Sequence, residues 1–132
     1  MTSSRNNANP VEWIGPSFLA LQVRDLEASR VFYIEKLGLV PLQQNPSGAI
    51  VFSTRPVPFA IRTPMIDLDA TSKLGWGVSF WIAVTDANAM HDQLVKAGVP
   101  IVLPLADGPF GRFFAFCDPD GYTITVHTQR PE

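Results

Sequence analysis

One motif occurs twice in this chain, and it restricts the available folds more than any other feature. Val23, Asp25 and Ala28 are echoed by Val84, Asp86 and Ala89, each pair 61 positions apart. After each copy comes an apolar helical stretch closed by glycine, at Lys36-Leu37-Gly38 and at Lys96-Ala97-Gly98, and then a short valine-bearing strand segment. A small unit used twice leaves half a core on each copy. Two copies must therefore face each other, and the cleft between them is where function is to be sought.

The 132 residues suffice for one domain with its own core. No apolar run approaches the roughly 20 residues of a membrane span, and the first fifteen residues are too polar for a signal peptide. The expectation is a cytoplasmic chain with no membrane partner. Cys117 is the single cysteine, which leaves no internal disulfide and no cysteine-cluster metal site. A net charge of −2 without a basic run argues against nucleic acid as a partner.

Residues 1–15, rich in Ser and Asn, read as an arm whose Val11, Trp13 and Ile14 can dock. The spacing predicts a strand over 17–23, a helix capped by Asp25 that runs to Leu37, and strands over 39–44, 48–54 and 57–63. A connection over 64–76 has no periodicity and is expected to be exposed. The second copy supplies a strand over 77–84, then a helix over 86–97 with Ala87, Met90, Leu94 and Ala97 on one face. Strands over 100–104, 112–117 and 122–128 follow, the last two joined by the turn Asp118-Pro119-Asp120-Gly121. The expected class is α+β: paired βαβββ modules, 16–63 and 77–128, forming a curled mixed sheet around a cavity.

The segment Leu21-x-Val23-x-Asp25-Leu26-x-x-Ser29-x-x-Phe32-Tyr33-x-x-x-Leu37-Gly38-Leu39, the half-way repeat and Asp118-Pro119-Asp120-Gly121-Tyr122 together resemble the vicinal oxygen chelate superfamily. That group includes glyoxalase I, extradiol dioxygenases, a fosfomycin-modifying enzyme and the bleomycin resistance proteins. The resemblance spans residues 17–128. It implies paired modules, commonly in dimers, whose chemistry depends on a few cavity-facing strand positions. Where metal-dependent members carry His, Gln or Glu, this chain has Phe18, Ser79, Thr125 and, at the remaining position, Ile61 or Arg62. A divalent cation needs three or four converging N or O donors. No metal and no other cofactor is expected.

In place of a metal site the cavity is expected to be aromatic and neutral. Phe18, Trp81, Phe59 and Ile61 line it, with at least one of Phe113, Phe114 and Phe116 and with Phe114 taken as a ligand contact; Ser79, Thr125 and Thr123 supply hydrogen bonds. Trp76 and Phe110 sit in two loops, 64–76 and 105–112, that gate the cleft, while Arg62 and Arg112 near its mouth favour a neutral or anionic ligand. His91 is expected on a helix flank, exposed to solvent, and Cys117 in the core. These readings, with the resemblance, imply a metal-free homodimer that sequesters a small planar, mostly apolar antibiotic, natural product or xenobiotic. The alternative is an enzyme: a lyase or ring-cleaving dioxygenase with a displaced metal site, or an isomerase acting through Ser79, Thr125 or His127. A third possibility is a module whose rings fill its cavity.

Overall fold

Asp25 and Asp86 both lie in extended conformation, and each side chain accepts the N–H of the residue three further on, Ala28 and Ala89, at 3.1 Å. The repeated aspartate thus satisfies one of the N–H groups that a helix start leaves unpaired. The computed structural model describes residues 11–129, so the part of the expected arm over 1–10 lies outside the described residues. Val11, Trp13 and Ile14 are fully exposed.

The first copy forms strand β1 (Leu19–Gln22), helix α1 (Leu26–Arg30) prolonged as a π-helical stretch over Val31–Lys36, and strands β2 (Ala49–Phe52) and β3 (Phe59–Arg62). Its sheet has the order β1-β3-β2, with β1 and β3 parallel. The second copy forms β4 (Phe80–Val84), α2 (Ala87–Lys96), β5 (Ile101–Gly108), β6 (Gly111–Cys117) and β7 (Thr123–Thr128), in the order β4-β7-β6-β5 with β4 and β7 parallel. Both helices end where expected, at Gly38 and Gly98, whose φ values of 83° and 79° suit glycine.

Two elements differ from expectation. The strand expected over 39–44 shrinks to a bridge between Pro41 and Phe52, held by Leu42 N–H to the Val51 carbonyl at 2.8 Å and Ser53 N–H to the Val40 carbonyl at 2.9 Å. Proline lacks an N–H, and beyond Leu42 the Asn45 side chain, not the backbone, accepts the Val51 N–H at 2.9 Å. The gating loop expected over 105–112 is instead a tight hairpin. β5 continues to Gly108, β6 starts at Gly111, and only Pro109 and Phe110 form the tip.

The helix-facing sides of both sheets meet in one core. Phe59 of β3 packs edge-on against Phe80 of β4 at 5.1 Å, and Phe32 from the first helical segment lies 6.1 Å from Phe116 of β6. Such pairs add about 0.5–1.5 kcal/mol each beyond area burial. Leu94 and Ala87 of the predicted stripe on α2 are buried, with Met90 and Ala97 packed beside them. The Tyr122 hydroxyl donates to the Gln22 carbonyl at 2.8 Å, and Arg24 reaches Asp69 at 2.7 Å and Asp120 at 3.0 Å. These contacts tie the linker and the last turn to the end of β1. The linker is exposed as expected apart from Leu68, which is buried, and Leu74, which is half-buried.

Candidate functional site

Strand alternation puts one face of each sheet on the core and leaves the other outside. On the second sheet Trp81 pairs with Thr125, which pairs with Ala115; in the next row Ala83 pairs with His127, which pairs with Phe113. All six stand on the face opposite the helices, where Ala115 is itself covered and Trp81 and Ala83 are exposed. Trp81 gathers an aromatic cluster there: Phe113 lies 6.0 Å away and tilted by 32°, while Phe110 at 5.9 Å and His127 at 5.6 Å meet it edge-on. The His127 Nδ1–H donates to the Phe110 carbonyl at 3.3 Å, since a carbonyl oxygen only accepts. The hairpin tip is thereby folded over the cluster, yet Trp81 remains 40% exposed.

Beside this cluster opens a cleft of about 730 Å³, within the roughly 300–1,000 Å³ usual for small-molecule sites. Ser79, Thr123 and Thr125 line one side, Ala20 and Gln22 the other, and the linker from Thr71 to Trp76 forms a rim. The Lys73 ammonium sits 4.1 Å from the centre of the Trp76 ring. The hydroxyls of Ser79, Thr123 and Thr125, with the rings of Trp76, Phe80 and Tyr122 in the same lining, suit a planar molecule that needs orienting hydrogen bonds.

The structure divides the residues singled out from the sequence. Trp81, Ser79 and Thr125 share the outer face, with Phe110 folded onto it. Trp76 borders the cleft. Phe18, just before β1, is half exposed, and β1 alternation places it with Ala20 and Gln22; Arg62 occupies the matching face of β3, its Nε–H donating to the Thr63 carbonyl at 3.0 Å.

Five residues need correction. Phe59, Ile61 and Phe114 are fully buried on the helix-facing sides, where Tyr33 packs on Phe59 and His91 packs on Phe114. They belong to the core because the parity of β3 is opposite to the one expected and because β6, whose parity the sequence left open, turns Phe113 and not Phe114 outward, although Phe59 also forms part of the floor of a smaller hollow next to β4. Arg112 is drawn away from the cleft: its guanidinium donates to Asn88 of α2 at 3.1 Å and to Asp107 at 3.3 Å. His91, placed on a helix flank, is partly buried against Phe114 rather than free in solvent.

Phe113 and His127 complete the aromatic cluster. The turn at Asp118–Gly121 carries the signal for both, because pairing Cys117 with Thr123 puts every odd residue of β6 on the side of the odd residues of β7. With Ile61 in the core, the outward residues at the four family ligand positions are Phe18, Arg62, Ser79 and Thr125. A ring, a guanidinium and two neutral hydroxyls do not make the donor set that a divalent cation requires. Among the described residues, no three His, Cys, Asp or Glu side chains come together.

The family profile described as "Glyoxalase/Bleomycin resistance protein/Dioxygenase superfamily" matches residues 15–126. A protein of unknown function from Agrobacterium tumefaciens str. C58 has the same fold, with 24% identity, a TM-score of 0.70, and coverage of 90% of this chain and 97% of that one. The bleomycin-binding protein from bleomycin-producing Streptomyces verticillus, solved with copper(II)-bleomycin, shares 22% identity over 92% of this chain and 100% of its own, with a TM-score of 0.65. An antibiotic binding protein from Streptomyces sp. CB03234 shares 19% identity over 90% and 98%, with a TM-score of 0.68. No curated protein matches the chain.

Proposed function

The chain belongs to the Glyoxalase/Bleomycin resistance protein/Dioxygenase superfamily, and from that premise we propose that it is a cytoplasmic, metal-free homodimer that binds a small planar, mostly apolar molecule such as an antibiotic, natural product or xenobiotic. One observation carries this reading. At the sheet positions where metal-dependent relatives hold their donors, this chain carries Phe18, Arg62 and the hydroxyls of Ser79 and Thr125, and the Trp81 cluster stands on the same outward face beside a cleft of about 730 Å³. The ligand's ring stacks on the exposed indole, and Ser79 and Thr125 orient its polar edge. The solved bleomycin-binding and antibiotic-binding relatives support an antibiotic among these candidates.

The donor set tests the metal-free part. Purified protein is expected to contain no stoichiometric divalent ion, and added Ni, Zn, Mn or Fe should leave its melting temperature unchanged. One equivalent of tightly held metal contradicts the reading.

A second reading, metal-free isomerase chemistry, is favoured by one contact. The contact of His127 Nδ1 with the Phe110 carbonyl fixes the ring beside the aromatic cluster and leaves Nε2 as the nitrogen that a proton-transfer role would use. His127→Ala separates the two: a binder keeps most of its affinity, whereas an isomerase loses turnover.

A further inference from the structure

Next to the cleft, a smaller hollow of about 390 Å³ lies between the 54–57 turn of the first module and residues 80–83 of β4. Its floor is apolar: Leu19, Phe59, Phe80 and Ile82 come together there, with Phe59 and Phe80 in edge-to-face contact at 5.1 Å. Its rim is polar and carries one sign of charge. Arg55, His127 and Gln129 stand around it, and no Asp or Glu lines it. The ion pairs among the described residues involve Arg24, Arg30, His91 and Arg112, so Arg55 is uncompensated among them. In the larger cleft, by contrast, Arg24 is held by Asp69 and Asp120.

We propose that this hollow is a second binding site, and that its ligand is an apolar ring system of one or two rings bearing a single carboxylate. The floor takes the ring and excludes water from it. The planar guanidinium of Arg55 matches a carboxylate with two parallel N–H donors, a geometry that a lysine ammonium does not offer. A neutral ring would leave the cation unused, and a cationic one would be repelled. The volume is near the lower end of the usual range for ligand pockets, which limits the ring system to this size. The hollow shares Leu19 and Phe80 with the lining of the larger cleft, and Trp81 borders it.

The test is a titration of the isotopically labelled full chain with 2-naphthoate and with its neutral counterpart 2-naphthamide, followed by backbone amide NMR. Naphthoate is expected to shift the signals of Val57, Ile82 and Ala83. Arg55→Ala should weaken it about tenfold, as expected for a charge-assisted contact at a partly wet rim, and leave the weaker naphthamide binding unchanged. Arg55→Lys should recover only part of the loss, and Ala83→Phe, at an exposed position beside the hollow, should block both compounds. Equal naphthoate affinity in the wild type and Arg55→Ala overturns the proposal, as does the absence of any shift at the solubility limit. Shifts confined to Ser79, Thr123 and Thr125 also overturn it, while leaving the larger cleft as a ligand site.

Discussion

Asp118 is buried in the turn that closes β6 onto β7, where its carboxylate accepts the Tyr33 hydroxyl at 2.6 Å and the N–H groups of Asp120 and Tyr122 at 2.9 Å each. Burial pushes its pKa above the 3.8 of an ordinary aspartate, against the pull of those three donors. Burial, and then the Asp118 charge, likewise raise the Tyr33 hydroxyl, which therefore stays a donor. Between 3.8 and its higher folded value the folded chain holds the Asp118 proton more tightly than the unfolded chain does. The stability this group contributes is thus fully present below 3.8 and falls as pH rises through the folded value. Tyr33→Phe removes a donor to the ionised form. It should cost about 1–3 kcal/mol near neutral pH and less below 3.8, measured by urea denaturation at both; an equal cost would contradict the pairing. The sequence marked Asp118 as a turn residue. Its partner stands 85 positions away, beyond the reach of any local pattern.

The paired helices were the most legible elements, because capping chemistry is local and recurs. Asp25→Ala and Asp86→Ala should each cost about 1 kcal/mol, and the double variant about the sum, since the caps share no partner. Chemical denaturation of the three variants checks this, and a neutral Asp86→Ala would show that the second cap is idle. Strand parity was less legible. Phe59-Ala60-Ile61 in β3 and Phe113-Phe114-Ala115-Phe116 in β6 are apolar on both faces, so the period of two that separates core from exterior is hidden there. Only the register with β7, and the packing of Tyr33 on Phe59, decides which ring goes inside. The outer strand of the first module failed for a different reason: Pro41 and the Asn45 side chain replace backbone pairing.

At the scale of the whole molecule, the repeat was sufficient to read the fold, because two half-cores have few ways to close; the site was not, because its cluster is assembled from three strands and a hairpin tip. Both sheets turn their helix-facing sides inward, so Trp81, Ala83, Ser79 and Phe18 are left on exposed outer faces, with Val11, Trp13 and Ile14 projecting nearby in sequence. In the proposed homodimer a second copy covers apolar surface of this kind. Deleting residues 1–15 should weaken the proposed dimer. Sedimentation at micromolar concentration checks it, and a full-length chain that runs as a 14.5 kDa monomer contradicts the dimer. The central claim is that a planar ligand stacks on Trp81 without a metal. Its most direct test is a fluorescence and melting titration of chelator-treated protein and of Trp81→Ala against a panel of planar aromatic compounds. The account predicts that at least one compound quenches the tryptophan signal and stabilises the fold, by roughly 2.7 kcal/mol at a hundred times its dissociation constant, with both effects lost in a folded Trp81→Ala. Binding that persists undiminished in Trp81→Ala, or that appears only when a divalent metal is restored, would contradict it.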